Sequence, residues 1–526
     1  MAKRRLTFFS RMLIALAITA GIFFAGKWLV ENTALGEMLN IENTESTVSD
    51  NSSNNNDNER PTDRNTGKKG DAINIGVVDW VGYAGGQYFN EGFEANKNSR
   101  YYKDYGFQVN FEVINEPDAS LAAWKKGDLD LHWFTLDAFP TIYESIKDYD
   151  PVILFQADWS RGGDAIVARR GINNVEDLKG KKVAVAERTP SHSFLLWLLD
   201  AGGLTQDDIE IIPTADAIQA GDFFKGNQVD AAVTWSPTDE ECVRVVPGAR
   251  ILESTRSASN IIADIFFAKR EYVEANREKL QQLYEGWMIG AAELENDDDA
   301  KQKAINILAE ALGYAPEDIM IDNAYHTTHG DNLNFFGLNV DYKGVTANGL
   351  YQRMAQKYAS MGYAEKSFPS WRSIAYPNLV QRTKLDDALY RGETKKEFAP
   401  VSDEEGGEKE AIATKRVSIN FRTGEFKLDE NAKYIIDLEF VEIAKAFGNA
   451  RIRIEGNTDN VGNTTSNIAL SKKRAQSVKD YLVKEHEMDP NRFIVIGNGP
   501  SKPVADNSTA DGKAKNRRTD FELVRD

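Results

Sequence analysis

The sequence predicts an α/β protein of two modules, preceded by an apolar helix and a polar tether. From Ile73 onward, short apolar strands alternate with helices of about 8–12 residues, which is typical of parallel α/β units. Residues 31–72 precede this pattern and residues 395–415 interrupt it, and both segments contain few large apolar residues. The chain has 526 residues, too many for one hydrophobic core, so several domains are expected.

The composition argues against nucleic-acid binding and excludes sites built from several cysteines. The net charge of −18 argues against nucleic acid as a partner, because binding to phosphates requires a basic face. The chain has one cysteine, Cys242, so it forms no internal disulfide and no cysteine-based metal cluster.

Residues 1–30 are expected to form a signal-anchor or transmembrane helix. Basic residues 3–5 precede an apolar run from Met12 to Ala25, which predicts export of the remaining chain. Lys27 and Trp28 at the end of this run favour an uncleaved anchor. The small pair Ala25-Gly26 leaves a cleaved secretory signal open as the alternative. Residues 31–72 would then form a disordered tether.

Candidate ligand contacts of the large module, residues 73–394, are aromatic and polar residues that follow strands. Trp80 and Tyr83 lie in a glycine-containing segment after the first strand. Further candidates come at the ends of later strands, where ligands sit in open α/β sheets. These candidates are Trp133, Thr135, Asp137, Trp235 and Ser236.

The segment Ser191-His192-Ser193 follows Pro190 at the expected start of a helix. Hydroxyl groups and free N–H groups at a helix N-terminus form an anion site, although the same residues also serve as an ordinary N-cap.

A cationic or heteroaromatic ligand is the second possibility for the large module. Trp80, Tyr83, Trp133 and Trp235 could enclose such a ligand by stacking and cation–π contact. Carboxylates would then matter more than Ser191, and the candidates are Asp137, Asp239 and Asp264. The residues alone leave the choice between an anion and a cation open.

The large module resembles the bilobal periplasmic solute-binding proteins that supply ABC importers. The phrases DLKGKKVAV (177–185) and VDAAVTWSP (229–237), on either side of the helix that begins near Ser191, are similar to the nitrate, sulfonate and thiamine-precursor branch. The resemblance implies two α/β lobes joined by a hinge, with the second lobe at about 166–248. It also implies a small-molecule solute and an ABC permease as partners.

A zwitterion site is predicted in the C-terminal module, residues 416–526, which follows an acidic linker at 395–415. The strand RIRIEG alternates, so Ile452 and Ile454 would face the core and Arg453 would face away. It leads to Asp459 and a small polar loop, and Arg474 lies about two turns into the next helix. A carboxylate accepts an ammonium group and an arginine grips a carboxylate, so the pair suits a zwitterion. A loop cap and a surface ion pair would be the ordinary structural roles.

The segment TDNVGNTTSNIALSKKRAQSVKDYL (458–482) resembles the signature of the OmpA-like peptidoglycan-binding domain. The resemblance implies that Asp459 and Arg474 bind the diaminopimelate of the peptide stem in a Gram-negative cell envelope. The other matching positions that we predict to bind peptidoglycan are Thr458, Asn467 and Arg517. Asn457 departs from the family, which usually has His or Tyr there.

No catalytic motif supports an enzyme. The sequence contains neither GxSxG nor a Walker A pattern, and we expect no catalytic residue, metal or cofactor. The two histidines of HTTHGD (326–331) are expected to be structural. We therefore expect a periplasmic receptor that is anchored in the inner membrane, or exported to the periplasm if residues 1–30 are cleaved. The alternative is a brace between the inner membrane and the cell wall that has lost its ligand.

Overall fold

The computed structural model describes residues 72–419, 421–422 and 424–526. The predicted N-terminal helix and the tether before residue 72 lie outside these residues. Within the described part of the chain, none of the helices combines the length and the apolarity that a membrane crossing requires.

The predicted α/β class is confirmed by three sheets and the helices around them. In chain order the strands are β1 (Ala72–Val77), β2 (Gln108–Val113), β3 (Leu131–Thr135), β4 (Pro151–Ser160), β5 (Asp164–Ala168), β6 (Lys182–Val185), β7 (Glu210–Pro213), β8 (Ala231–Trp235), β9 (Arg250–Ser254), β10 (Ala263–Lys269), β11 (Ala324–His326), β12 (Ala411–Val417), β13 (Arg451–Asn457), β14 (Phe493–Gly499) and β15 (Thr519–Val524).

The helices are α1 (Ala84–Phe89), α2 (Arg100–Tyr105), α3 (Pro117–Lys126), α4 (Pro140–Ile146), α5 (Pro190–Ala201), α6 (Ala217–Lys225), α7 (Thr238–Val245), α8 (Arg270–Ala275), α9 (Arg277–Asn296), α10 (Asp298–Leu312), α11 (His329–Phe335), α12 (Ala347–Ser360), α13 (Trp371–Ile374), α14 (Asn378–Arg382), α15 (Asp403–Gly407), α16 (Glu430–Ile436), α17 (Glu442–Ala446), α18 (Thr464–His486) and α19 (Ala510–Asn516).

The first lobe is built on a six-stranded sheet in the order β11-β4-β10-β3-β1-β2. Strands β2, β1 and β3 are parallel, whereas β10 runs antiparallel to both of its neighbours, β3 and β4. All ten residues of β4 are buried. Such a continuous buried strand needs cover on both faces, which explains why its apolar residues do not alternate with polar ones.

The second lobe is built on a five-stranded sheet in the order β7-β6-β8-β5-β9. Strand β6 pairs in parallel with β7 and β8, and β5 pairs antiparallel with β8 and β9. The chain passes from the first sheet to the second through residues 161–163 and returns through residues 255–262. Two connecting segments of this kind form a hinge between the lobes.

Close packing of α1 against α9 holds the segment that contains Trp80 and Tyr83. Gly290 of α9 lies directly against the carbonyl oxygen of Gly85, and Gly86 faces the ring of Trp287. A methyl group at either α1 glycine would collide with α9, so the two helices approach this closely only without side chains.

The C-terminal module has a four-stranded sheet in the order β12-β15-β13-β14. Strand β12 begins at Ala411, and α15 also lies within residues 395–415, where the sequence predicts a linker. The described linker therefore contains ordered elements. Lys415 of β12 also forms an ion pair of 2.7 Å with Asp200 of α5, which joins this module to the second lobe.

The alternation of β13 does not place its arginines in solvent. Arg453 is only 6% exposed. Its guanidinium donates hydrogen bonds to the carbonyl oxygens of Gly406, Gly407 and Lys409, and its Nε donates to Glu522. Arg453 does point away from the face of β13 that carries Ile452 and Ile454, as predicted. That opposite face is covered by α15 and the residues after it, so Arg453 is buried there.

Candidate functional site

The candidate solute site lies where the strands of the first lobe meet the hinge. Strands β1, β3 and β4 end at this edge of the sheet and β10 begins there, because β10 runs antiparallel to β3 and β4. Both segments that lead to the second lobe leave from the same edge. Polar residues at these strand ends therefore face the space between the lobes, where ligands bind in this type of sheet.

A row of polar side chains crosses this edge. In the strand register, Asp264 of β10 lies opposite Asp158 of β4 on one side and opposite Thr135 of β3 on the other. His326 of β11 lies opposite Asp158. Residues that are paired in register project from the same face of a sheet, so the four side chains stand next to one another.

Aromatic side chains contact this row. The Tyr83 hydroxyl donates a hydrogen bond of 2.7 Å to Asp264 Oδ1. Trp80 Nε1 lies 3.3 Å from each carboxylate oxygen of Asp158. The rings of Tyr83 and Trp133 are 6.2 Å apart between centroids. The Trp80 ring also covers Gly163 of the hinge, where a Cβ atom would overlap it.

The second lobe contributes acidic residues to the same space. Asp164, the first residue of β5, pairs in register with Trp235 at the end of β8. Ser160 donates a hydrogen bond of 2.8 Å to Asp164 Oδ2. Asp239 lies in the first turn of α7, is 3% exposed, and is close enough for its charge to raise the pKa of Asp164. Trp235 itself is 39% exposed.

Burial shifts the carboxyl groups strongly toward their neutral forms. Burial raises the pKa of Asp137 to about 7, that of Asp158 to about 7 and that of Asp164 to about 6. Burial, followed by the charge of Asp158, raises the pKa of Asp264 well above its usual range. Among the described residues, no lysine or arginine is among the groups that shift the pKa of Asp158 or Asp164.

His326 is the basic member of this row, paired in register with Asp158. Its Nδ1 lies 2.9 Å from Glu295 Oε1 and its Nε2 lies 3.1 Å from the Val81 carbonyl oxygen, so both ring nitrogens face acceptors. Burial alone would lower the pKa of His326, but the hydrogen bond and the charge of Glu295 raise it overall. When His326 is protonated, its charge is shared between Glu295, with which it is paired, and Asp158, whose pKa it lowers.

The predicted anion site at the start of α5 is enclosed by protein. His192 Nδ1 accepts a hydrogen bond of 3.1 Å from the Arg188 backbone N–H, and Nε2 lies 3.0 Å from Gln206 Oε1. The Ser193 hydroxyl is 2.8 Å from the Tyr358 hydroxyl. Ser191 is 1% exposed. The Ser193 hydroxyl also lies within hydrogen-bonding reach of Asp137. The His192 ring, in contrast, points toward the Gln206 side chain.

The sequence analysis did not select Asp158 or Asp164. Both residues flank the hinge segment, at the end of the buried strand β4 and at the start of β5. The available signal was an acidic residue that interrupts an otherwise apolar strand, as Asp158 does after the run PVILFQA.

The C-terminal site combines one carboxylate with two arginines. Asp459 is 9% exposed, and its Oδ2 accepts an ion-paired hydrogen bond of 2.6 Å from Arg517. Its Oδ1 accepts a hydrogen bond of 3.0 Å from the Val461 backbone N–H. Burial lowers the pKa of Arg474, and the nearby charge of Arg517 lowers it further. The charge of Asp459 acts in the opposite direction.

Backbone and aromatic contacts position Arg474. Its Nε donates a hydrogen bond of 3.0 Å to the Glu425 carbonyl oxygen, and the guanidinium lies 4.8 Å from the centre of the Phe421 ring. Asn467 donates a hydrogen bond of 2.9 Å to the Val461 carbonyl oxygen, and the Thr458 hydroxyl donates one of 2.9 Å to the Asp459 carbonyl oxygen. Asn467 and Thr458 therefore support the loop that carries Asp459. Asn457 donates a hydrogen bond of 3.1 Å to Asp520.

Two family models match separate parts of the chain. Residues 92–300 match the model described as NMT1/THI5 like, and residues 420–517 match the OmpA family model. The chain therefore carries an NMT1/THI5-like domain with an OmpA domain C-terminal to it, which confirms both resemblances.

Curated relatives align with the OmpA domain. Outer membrane protein A of Bordetella avium is 40% identical over 97 residues, which cover 18% of this chain and 49% of that protein. Peptidoglycan-binding protein ArfA of Mycobacterium tuberculosis is 40% identical over 90 residues, which cover 17% of this chain and 27% of that protein. The chain thus spans less than half the length of each of these relatives.

Solved structures align with the large module. The periplasmic aliphatic sulphonate binding protein SsuA from Escherichia coli is 21% identical, and the alignment covers 59% of this chain and 99% of that one. The TM-score is 0.46.

Proposed function

We propose that this protein is a non-enzymatic receptor of the Gram-negative cell envelope that captures a small solute and is held at peptidoglycan. The observation that carries the proposal is the presence of two separate candidate sites on one chain. One lies between the two lobes at the hinge, and the other is the Asp459 site of the OmpA domain. We assign residues 73–394 to the solute-binding module and residues 416–526 to the peptidoglycan-binding module.

A zwitterionic amino-acid end group fits the charges of the C-terminal site. Arg474 would bind its carboxylate, because a planar guanidinium forms two parallel hydrogen bonds with that group. Asp459 would bind the ammonium group in exchange for its ion pair with Arg517. Diaminopimelate in the peptidoglycan stem carries such an end group. The name of the ArfA relative, a peptidoglycan-binding protein, supports peptidoglycan as the ligand of this domain.

We propose that residues 1–30 anchor the receptor in the inner membrane and that residues 31–72 act as a tether. The basic start and the apolar run from Met12 to Ala25 support this orientation. The captured solute would pass to an ABC-type permease or to a signalling partner. Fixation at the wall would then keep the receptor near that partner.

Sedimentation with purified diaminopimelate-type peptidoglycan tests the wall site. We expect the full chain to enter the pellet and free diaminopimelate to release it. Arg474→Gln and Asp459→Asn should each lower retention about tenfold or more, as expected for loss of a hydrogen bond between charged groups. Lys484→Gln is the matched control, because it removes one positive charge from an exposed position in the last turn of the same helix, α18. Retention of both site variants would contradict the assignment.

Thermal unfolding with a panel of small molecules tests the solute site. We expect one class of small anions, amines or pyrimidines to raise the melting temperature of the full chain, since a ligand that binds only the folded state stabilises it. If no compound changes the melting temperature, the ligand-free brace between membrane and wall becomes the better account.

A further inference from the structure

We propose that the solute is a small organic cation, a protonated amine that carries N–H groups. This inference rests on the proposed receptor function and names the class of its ligand. The site that would hold the amine consists of the buried aspartates on both sides of the hinge and the aromatic rings that contact them. We call it the amine site, and its residues are Trp80, Tyr83, Trp133, Asp137, Asp158, Asp164, Asp239 and Asp264.

The first argument is the sign of the charge at this site. Asp158 and Asp264 stand side by side in register at 0% and 4% exposure, and Asp137 is fully buried nearby. Asp164 and Asp239 add two more carboxyl groups from the second lobe. Burying an unpaired charge is costly, whereas a bound cation would compensate it. A bound cation would favour the ionised form of these carboxyl groups, whereas an anion in the same place would oppose their ionisation.

The second argument is the presence of an unused polar atom. Among the described residues, no donor lies within 3.5 Å of Asp239 Oδ1 in hydrogen-bonding geometry. Asp239 is only 3% exposed. Asp137, in contrast, has the hydroxyl groups of Ser193 and Thr135 beside it, and their hydrogen bonds act to lower its pKa. A buried acceptor without a donor needs an N–H or O–H group from a ligand.

The third argument is the aromatic wall, which favours an organic cation. Tyr83 and Trp133 form adjacent rings beside Asp264, and Trp80 contacts both Asp158 and the hinge glycine Gly163. Cations bind to the faces of such rings. No group of three acidic, histidine or cysteine side chains in residues 72–526, as far as they are described, has the arrangement of a metal site. The structure therefore favours an amine over a metal ion.

The N–H groups distinguish an amine from a quaternary ammonium ion. The hydroxyl of Tyr83 already donates to Asp264, but Asp239 Oδ1 requires a further donor. A quaternary ammonium ion offers none, so it would leave this acceptor unpaired. Acceptors on both lobes favour amines with two nitrogen atoms.

Calorimetry and thermal unfolding of the full chain provide the test, with 1,4-diaminobutane, butylamine, choline, ethanesulfonate and nitrate as probes at neutral pH. We expect 1,4-diaminobutane to bind most tightly, butylamine less tightly and choline weakly, with no binding of the two anions. Asp264→Asn should weaken diaminobutane binding about 10- to 100-fold, the range for loss of a hydrogen bond to a charged group. This variant should fold, because the carboxyl that it replaces already favours its neutral form.

Asp148→Asn is the matched control, because Asp148 is exposed and lies in the same lobe. Binding of an anion without binding of the amines would overturn the cation inference and leave the receptor proposal intact. Binding of diaminobutane that is equal in Asp264→Asn and in the unchanged chain would place the amine elsewhere. If none of the five probes binds, the cation inference fails, whereas the receptor proposal fails only if no compound of the wider panel changes the melting temperature.

Discussion

Asp158 and Asp264 lie opposite each other on neighbouring antiparallel strands, and both are buried at the edge where the two lobes join. Burial raises the pKa of both carboxyl groups, and the charge of Asp158 raises that of Asp264 further. Trp80 and Tyr83 donate hydrogen bonds to the two side chains. A site of this kind gains most from a ligand that brings positive charge.

Asp137 should make the free protein less stable as pH rises. Its pKa in the folded protein, about 7, lies above the ordinary value, so the folded state holds more protons than the unfolded state between these values. The stabilisation is therefore complete below about pH 4 and is lost as pH rises through about 7. Asp137→Asn should remove this contribution, about 1.4 kcal/mol per pH unit between about pH 5 and pH 7.

Urea unfolding of the variant and of the unchanged chain at several pH values measures this difference. Other titrating groups lie near Asp137, namely Asp158, Asp164, Asp264 and His326. Both proteins contain these groups, so their contributions to the pH dependence of the unfolding free energy largely cancel in the comparison. Equal pH slopes for the two proteins would show that Asp137 is ionised at neutral pH.

Tyr83→Phe should destabilise the large module. The change removes the donor of a buried 2.7 Å hydrogen bond and leaves Asp264 Oδ1 without it, which costs about 1–3 kcal/mol. Urea unfolding followed by tryptophan fluorescence reports on this module, because residues 416–526 contain no tryptophan. Tyr434→Phe, at a side chain that is 63% exposed, is the control and should have little effect. An equally small effect at Tyr83 would contradict the importance of this bond.

Gly163→Ala should weaken amine binding and leave wall binding unchanged. The added methyl group would overlap the Trp80 ring at the hinge, so the ring must move from Asp158. Gly349→Ala is the control, since the nearest atom to its added Cβ is a hydroxyl at 3.4 Å. Calorimetry with 1,4-diaminobutane and peptidoglycan sedimentation measure the two activities. Loss of both activities would indicate general misfolding instead of a local effect.

Arg517→Gln should lower peptidoglycan retention less than Arg474→Gln does. Arg517 pairs with Asp459 in the free protein, but its side chain is 50% exposed, so the pair stabilises the fold by less than about 1 kcal/mol. Its loss would reduce the positive charge available to the ligand carboxylate. Lys515→Gln, two residues away, is the control for charge. An unchanged retention of Arg517→Gln would exclude Arg517 from ligand binding.

Sequence patterns predict the elements and candidate residues for the sites, but they could not supply strand register. Trp80 and Tyr83 are candidates because they follow the first strand, and Asp264 is a candidate carboxylate for a cationic ligand. The structure brings Tyr83 into contact with Asp264, and Trp80 into contact with Asp158 on the neighbouring strand. The role of Asp158 depends on its pairing with β10, which no local pattern encodes. Arg453 shows the same limit, because its buried position depends on carbonyl groups 44 to 47 residues away in the chain.

The most direct test of a receptor held at the wall is co-sedimentation of radiolabelled 1,4-diaminobutane with peptidoglycan in the presence of the full chain. The account predicts that the unchanged protein carries the amine into the pellet. Asp459→Asn should leave both protein and amine in solution, and Asp264→Asn should sediment without the amine. A pellet that contains the unchanged protein but no amine, or equal amine with all three proteins, would contradict the account.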